Sequence, residues 1–463
     1  MIRRPFFLLL PALVGGCVPY RPKPMDVAAM AAARARRPTD AEAVRAEQAR
    51  IAPDAPYDAA RWSRLSVLAA LLVHNPDIAA ARTTWISARA QARAARQAPG
   101  AALTLSTEYA RDPSTSSPWL LGGAIDVPLD LGGQRAARIG SGEIAVTIAR
   151  HDYADTLWAA RMQARRALID MLVAVREAAT GERLLALRDQ QQAAMEKRLR
   201  AGAVARADLE RVRADAAGAA ASVEDAHGRA AAARQALAAA IGLPAGALAP
   251  IAFDWPGFDS PSPDPTASLG DPTGATVARA DVLKALAAYD QAENDLRGEV
   301  ARQYPAISIS PGYSWERGLT KLPFSVGLAL PPLDMNRHAI AAAEARRSEA
   351  ARKLEVVVAA ANAGLESAIS EARLARAALA RVRQADLPIA RRLATDADAQ
   401  FRRGAIDRAD WAAAQGGVPQ AELTELTALA RVQAADAALE DALRRPLEGP
   451  EMHLTPGALE PTP

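Results

Sequence analysis

The chain has 463 residues, of which 50% are apolar but only 4% are aromatic, and alanine makes up much of the difference. Because alanine has the highest helix propensity and lets helices approach closely, this composition favours long, thin helical packing. The 56 basic and 53 acidic residues are intermixed and leave a net charge of +3, which argues against nucleic-acid binding, and the single cysteine excludes an intramolecular disulfide.

The N-terminus has the organisation of a bacterial export signal. Arg3 and Arg4 precede a short apolar run, and small residues follow up to Cys17. The segment Val-Gly-Gly-Cys that ends at Cys17 resembles a bacterial lipobox, which implies cleavage before this cysteine and a covalent lipid on it. Residues 1–16 are therefore predicted to be a lipoprotein signal peptide, and Val18 is compatible with sorting to the outer membrane. An ordinary secretory signal with a chance cysteine is the alternative.

Residues 17–61 are predicted to form a lipid-anchored, partly extended leader. Beyond the signal, no run of about 18 apolar residues occurs, and a helix needs roughly that length to cross a bilayer. Any membrane crossing must then be made by β-strands.

The rest of the chain contains one unit twice, over residues 62–243 and 277–445. An internal duplication explains the agreement better than chance does. The Pro- and Gly-rich residues 244–276 are expected to be an equatorial linker, and residues 446–463 a disordered tail. Four segments recur in the same order at a nearly constant offset: Asn75–Ile78 with Arg279–Val282, Ala102–Tyr109 with Ala306–Tyr313, Val127–Leu131 with Pro331–Met335, and Arg200–Asp208 with Arg402–Asp410.

Each copy contains a predicted β-hairpin, over residues 102–128 and 306–331. Leu103 and Leu105 alternate with Thr104, a two-residue period typical of a strand with one apolar face. Strands of roughly 9 to 10 residues cross a bilayer when tilted, but four of them cannot close a barrel, so several protomers are required. A small soluble sheet packed on the helices is the alternative. Aromatic residues near the loop ends are expected to form an interfacial girdle: Tyr109, Trp119, Tyr313, Trp315 and Phe324.

Long helices follow each hairpin, because apolar residues and alanines recur at three- and four-residue spacing with arginine and glutamate between them. This spacing indicates coiled-coil packing. The predicted helices cover residues 134–200, 207–241, 337–400 and 409–444, with Pro388 and Pro419 as candidate kinks.

Two matching turns connect the long helices. Gly202 is followed by Asp208, and Gly404 by Asp410. A glycine permits the left-handed backbone that reverses the chain, and an aspartate in the first turn of the next helix stabilises its N-terminus. This structural role explains both turns without any function in gating.

These features together resemble the TolC family of outer-membrane efflux proteins, in particular the lipoprotein members that serve resistance-nodulation-division (RND) pumps. The resemblance covers about residues 62–445 and is carried by Asn75–Ile78, the hairpin exit Pro128–Arg135, the two turns and the duplication. It implies a mainly α fold with a small β part, in which a long coiled-coil α-barrel continues into a trimeric, twelve-stranded transmembrane β-barrel with four strands from each protomer.

The resemblance also implies a function and partners. The chain is expected to be the outer-membrane channel of a tripartite efflux system in a Gram-negative bacterium, a passive exit duct that forms a homotrimer. A periplasmic adaptor would join it to an RND-type inner-membrane transporter. The turns at Gly202 to Asp208 and Gly404 to Asp410 would form the periplasmic tip, where the adaptor docks.

At this tip, the resemblance places an acidic ring at Asp410 and an aromatic gating residue at Phe401. A second ring carboxylate expected in the family is Ala413 here, and Ile406 stands where a basic residue can occur. Asp407 and Arg408 are candidate substitutes for these two gate residues, on the basis of geometry alone.

Three other functions compete with the channel. An enzyme is disfavoured because the histidines are scattered and no metalloprotease or phosphate-loop motif occurs. A lipid-anchored periplasmic adaptor or scaffold would carry one helical hairpin inside strand-rich modules, so the duplicated hairpins of bilayer length argue against it. An outer-membrane component of type I protein secretion remains open. No metal or cofactor beyond the lipid on Cys17 is expected, and the exported compound is not predicted.

Overall fold

The structure is a computed structural model, and it describes residues 20–109, 118–130, 132–262, 264, 272–316, 318–454 and 456–459. Within these ranges the chain is mostly helical, with a small sheet. Cys17, the predicted signal segment and the tip of the first hairpin loop lie outside the described residues.

Helices α1 (Val27–Ala35) and α2 (Ala41–Ile51) precede the first half of the molecule. α2 packs on α3 (Arg64–His74) and buries Gln48, whose side-chain oxygen accepts a hydrogen bond from the Ser66 hydroxyl at 2.7 Å. The prediction of a partly extended leader is therefore wrong for these residues. The reason is that α2 has an apolar face of its own, which the core receives.

Asn75 ends α3 and begins α4 (Pro76–Ala95). Its side-chain oxygen accepts hydrogen bonds from the backbone N–H groups of Asp77 and Ile78, so it caps the new helix. Its amide group donates to the carbonyl of Ala240 at 2.7 Å. The conspicuous Asn-Pro motif thus links the start of the first half to the end of its last helix.

The first half is built on two long helices. α5 (Gln134–Arg200) is continuous over 67 residues, and α6 (Arg206–Ile241) returns along it over 36 residues. At ~1.5 Å per residue, α5 is ~100 Å long. The predicted bounds of both helices are confirmed to within one residue.

The second half follows the same order of elements but is less continuous. A π-helical turn, Val382–Asp386, interrupts its long helix just before Pro388, where a kink was predicted. Pro419, the other candidate, lies inside an unbroken helix. The helices are α7 (Pro272–Val277), α8 (Ala280–Ala301), α9 (Arg337–Arg381), α10 (Leu387–Arg402) and α11 (Arg408–Leu443).

The strands form one larger antiparallel sheet and one short parallel pair. In the larger sheet β2 pairs with β3, β3 with β5, and β5 with both β6 and β7, so the β3–β5 pairing joins the two predicted hairpins. In the short pair, β1 lies beside β4. The strands are β1 (Arg61–Trp62), β2 (Ala102–Tyr109), β3 (Trp119–Leu129), β4 (Ala252–Phe253), β5 (Ala306–Glu316), β6 (Leu319–Lys321) and β7 (Phe324–Ala329).

The main hydrophobic core is one cluster of buried residues from α2, α3, α5, α6, α9 and α11. The linker between the halves belongs to this core, because it buries Leu248, Trp255 and Phe258. Its β4 strand pairs with Arg61–Trp62 at the start of the first half.

The C-terminal segment also packs on the core, so the prediction of a disordered tail is wrong for residues 446–454. A 3₁₀ turn spans Pro450–His453, and Glu451 is buried beside Arg161. The Tyr153 hydroxyl donates to the carbonyl of Leu459 at 3.0 Å. The segment is held because buried arginines of α5 need carboxylate partners, a long-range requirement that composition does not reveal.

Candidate functional site

The strand register sorts the larger sheet into an apolar face and a polar face. Leu105 lies opposite Gly123, which lies opposite Tyr313, and Ile309 lies opposite Val326. Residues opposite each other in an antiparallel sheet project to the same side, so the apolar residues of all four longer strands share one face.

This apolar face is exposed in the single chain. Leu105 is 76% exposed and Val326 is 59% exposed. Among the described residues the strands of this sheet contact one another, and no helix packs against them. An apolar patch of this extent on a folded chain marks a surface that meets lipid or another protein. The alternative of a small soluble sheet packed on its own helices is therefore wrong.

The opposite face carries small and polar side chains, including Thr104, Ser106, Ser308 and Ser310. The hydroxyl of Ser310 donates to the Asp126 carboxylate across the β3–β5 pairing at 2.5 Å. One face suited to hydrocarbon and one suited to water match the two sides of a strand that separates lipid from an aqueous lumen.

The predicted girdle residues Tyr109, Trp119, Tyr313, Trp315 and Phe324 all lie on the apolar face, but not at one level. Tyr109 and Trp119 are opposite each other at the loop end, with ring centroids 5.0 Å apart in an edge arrangement. Phe324 is opposite Pro311, well below the loop end of β5. The aromatic residues therefore extend down the sheet and do not form one narrow band.

The two outer edges of the sheet are unpaired among the described residues. β2 has a partner on one side only, and β7 pairs only with β5. Such edges expose backbone N–H and C=O groups that must find hydrogen bonds elsewhere.

The far ends of the long helices form the second candidate site, the tip. Gly202 and Gly404 both have left-handed backbones, with φ of 70° and 73°, as the turn prediction required. Asp208 and Asp410 lie in the first turns of α6 and α11. The cap of α11 is Asp407, whose carboxylate accepts from the backbone N–H groups of Ala409 and Asp410, whereas Ala205 provides no side-chain cap to α6.

Arg198, in the last turn of α5, joins the two halves at the tip. Its guanidinium forms ion pairs with Asp407 and, at 2.9 Å, with Asp410. Burial alone would raise the pKa of Asp407, but the backbone N–H of Asp410 and the Arg198 guanidinium overcome that effect and lower it. Both acidic gate candidates thus pair with one arginine of the other half, whose single positive charge offsets one of the two carboxylates.

Phe401 and Arg408 pack on a residue that the sequence interpretation did not single out, Trp411. The rings of Phe401 and Trp411 are 5.6 Å apart, and the Arg408 guanidinium lies over the Trp411 ring at 5.0 Å. Arg408 also donates to the side-chain oxygen of Gln190 at 2.8 Å. The tip residues therefore form one contact network, with Arg198 and Trp411 as members that turn spacing could not reveal.

The long paired helices end in a sheet with one apolar and one polar face. This combination defines the class of protein as a membrane channel subunit. Among the described residues no helix combines the length and apolarity needed to cross a bilayer. The family model "Outer membrane efflux protein" matches residues 67–243 and 273–443. The chain belongs to this outer-membrane efflux family, as the resemblance predicted. It is an efflux channel component of the outer membrane.

Solved structures show the same fold. A membrane protein from Pseudomonas aeruginosa is 20% identical with a TM-score of 0.68, covering 82% of this chain and 92% of that chain. The outer-membrane channel OprN is 19% identical with a TM-score of 0.69, covering 82% and 89%. VceC from Vibrio cholerae is 18% identical with a TM-score of 0.67, covering 83% and 97%. Among curated protein sequences none matches this chain.

Proposed function

We propose that the chain assembles as a homotrimer whose sheets close a twelve-stranded β-barrel in the outer membrane. The single observation that supports this most strongly is a four-strand-wide sheet with one exposed apolar face and two unpaired edges. In lipid, unpaired backbone groups cost several kcal/mol each, so the β2 edge of one protomer must meet the β7 edge of the next. The polar faces then line a wet lumen.

The helices continue this lumen as an α-helical tunnel. The matching order of elements in the two halves supports an origin by internal duplication, with each half supplying a helical hairpin. A lipid on Cys17 anchors the mature N-terminus in the outer membrane. A periplasmic adaptor docks at the tip and connects it to an RND-type transporter of the inner membrane, which supplies the energy for a passive exit duct.

The tip network acts as the gate. Arg198 holds the N-terminus of α11 to the C-terminus of α5 through Asp407 and Asp410. Opening of the tunnel requires the two hairpin ends to separate, and this breaks both ion pairs. Phe401 of α10 packs on Trp411 of α11 and moves with this end of the second hairpin.

A matched pair of substitutions in β2 tests the barrel. Leu105→Arg places a charge on the apolar face, and Thr104→Arg places one on the polar face of the same strand. A charge facing lipid costs ~2–4 kcal/mol at the bilayer centre, whereas a lumen position tolerates it. We expect Leu105→Arg to abolish the detergent-stable trimer and Thr104→Arg to retain it. Equal effects, or a wild-type chain that stays monomeric and soluble without detergent, would exclude the barrel.

Single-channel conductance in planar bilayers tests the gate. Arg198→Ala removes both ion pairs between the halves and should raise the conductance of the resting channel. Arg229→Ala is the control, since Arg229 also pairs with two carboxylates, Glu177 and Asp225, but within the first half. An unchanged conductance for Arg198→Ala would show that this arginine does not hold the tip closed.

A further inference from the structure

The end face of the tip carries more basic than acidic side chains. The two connecting segments, residues 197–206 and 399–408, contain Asp407 as their sole carboxylate residue. Arg198 is partly covered and paired with Asp407 and Asp410. The other six cations of these segments are exposed: Lys197, Arg200, Arg206, Arg402, Arg403 and Arg408.

Carboxylates one turn away compensate part of this positive charge, since Arg402 pairs with Asp398 and Arg206 lies 4.0 Å from Glu210. Within the described part of the chain, no ion pair is formed by Lys197 or Arg403. Arg200 donates to the backbone carbonyl of Glu196 at 3.4 Å, and its charge also acts on the Glu196 carboxylate. Asp208 one turn away pairs with Arg211 at 3.5 Å. Asp410, the residue that would form an acidic ring, is held by Arg198.

Charge at a narrow entrance determines which ions reach it. A mouth lined by one sign of charge concentrates counter-ions, and rings of arginine or lysine select anions. Around a threefold axis each exposed cation is present three times. We infer that the entrance of this channel admits anionic solutes in preference to cations, an inference that rests on the proposed trimeric channel.

The experiment measures the reversal potential of the purified full-length protein in planar bilayers under a KCl gradient. We expect wild-type channels to have a chloride permeability greater than that for potassium, and the preference should weaken at high salt because ionic screening shortens to ~3 Å at 1 M. Substituting Arg200→Gln together with Arg403→Gln should shift the reversal potential towards potassium, and Arg200→Glu together with Arg403→Glu should shift it further.

Arg352→Gln is the matched control, because Arg352 is exposed on α9 and distant in sequence from both tip segments. A cation-selective wild-type channel, or tip variants that behave like this control, would overturn the inference. Variants that keep their selectivity but abolish efflux in cells would also overturn it, since the cations would then serve a protein partner. If no pore forms at all, the proposed channel fails and the anion preference fails with it.

Discussion

The C-terminal segment should contribute measurably to stability, because it completes a buried charge network. Arg161 pairs with Glu440 at 3.0 Å and with Glu451, and Arg165 pairs with Glu440 and Glu448. Glu440 is 0% exposed and Glu451 is 5% exposed. Burial by itself would raise the pKa of the Glu451 carboxyl, but the neighbouring guanidinium groups, Arg161 foremost, lower it overall. At neutral pH this carboxyl is therefore ionised.

Substituting Glu451→Gln keeps the volume of the side chain and removes its charge. Loss of one partner from a buried ion pair costs ~3–5 kcal/mol. Because Glu440 still faces Arg161, we expect the lower value, ~3 kcal/mol. The unfolding entropy of a chain of this length is ~1 kcal/mol/K, so the midpoint of unfolding should fall by ~3 °C.

The assay is thermal unfolding of the detergent-solubilised protein, followed by circular dichroism at neutral pH. Glu355→Gln is the control, because Glu355 pairs with Arg352 at 2.7 Å while the two side chains are 63% and 79% exposed. Such an exposed pair contributes ~0.5 kcal/mol or less. Replacing both partners of the buried pair, Arg161→Met with Glu451→Leu, should recover most of the loss. If Glu451→Gln melts like the control variant, the C-terminal charges do not stabilise the fold.

Three further outcomes are expected in the same assay. Burial raises the pKa of Asp436 to about 6 despite the nearby Arg376. Its contribution to stability is therefore full below pH ~4 and disappears as the pH rises through 6, a decline of ~3 kcal/mol in the free energy of unfolding. Asp436→Asn should flatten this decline, and an unaltered pH profile would contradict it. Gly242 has φ of 91°, and a Cβ there would lie 2.6 Å from the His74 carbonyl oxygen, so Gly242→Ala should destabilise the fold by more than ~1 kcal/mol. Gly218 is helical and a Cβ there would meet no other atom, so Gly218→Ala should stabilise the fold by up to ~1 kcal/mol. Asn75→Ala loses the cap of α4 and should cost ~1–2 kcal/mol; a cost below ~0.5 kcal/mol would exclude a capping role.

The elements with a sustained period could be predicted from the sequence. The bounds of α5 were predicted correctly because its 67 residues repeat one helical pattern without proline. Strand alternation likewise predicted β2, β3, β5 and β7, and the register confirms that the apolar residues share one face. Such patterns are local, so one segment carries enough information to identify its own structure.

The failures concern contacts between distant segments. The polar, Pro- and Gly-containing tail has the composition of a disordered segment, and only the buried Arg161 and Arg165 explain why Glu448 and Glu451 hold it down. A clue existed, since these arginines share a helical face with the buried Ala164 and Leu168. At the tip, nothing local indicated that Arg198 of one half would pair with the aspartates of the other.

The interrupted helix of the second half gives the two halves unequal stiffness. α5 is one continuous helix, so a displacement of one end is transmitted to the other end. The π-helical turn Val382–Asp386 interrupts the regular α-helical hydrogen bonding of the second half, and Pro388, which follows it, has no backbone N–H to donate. A lateral force on the tip end of the second half should therefore rotate α10 about the π-helical turn and leave the sheet in place.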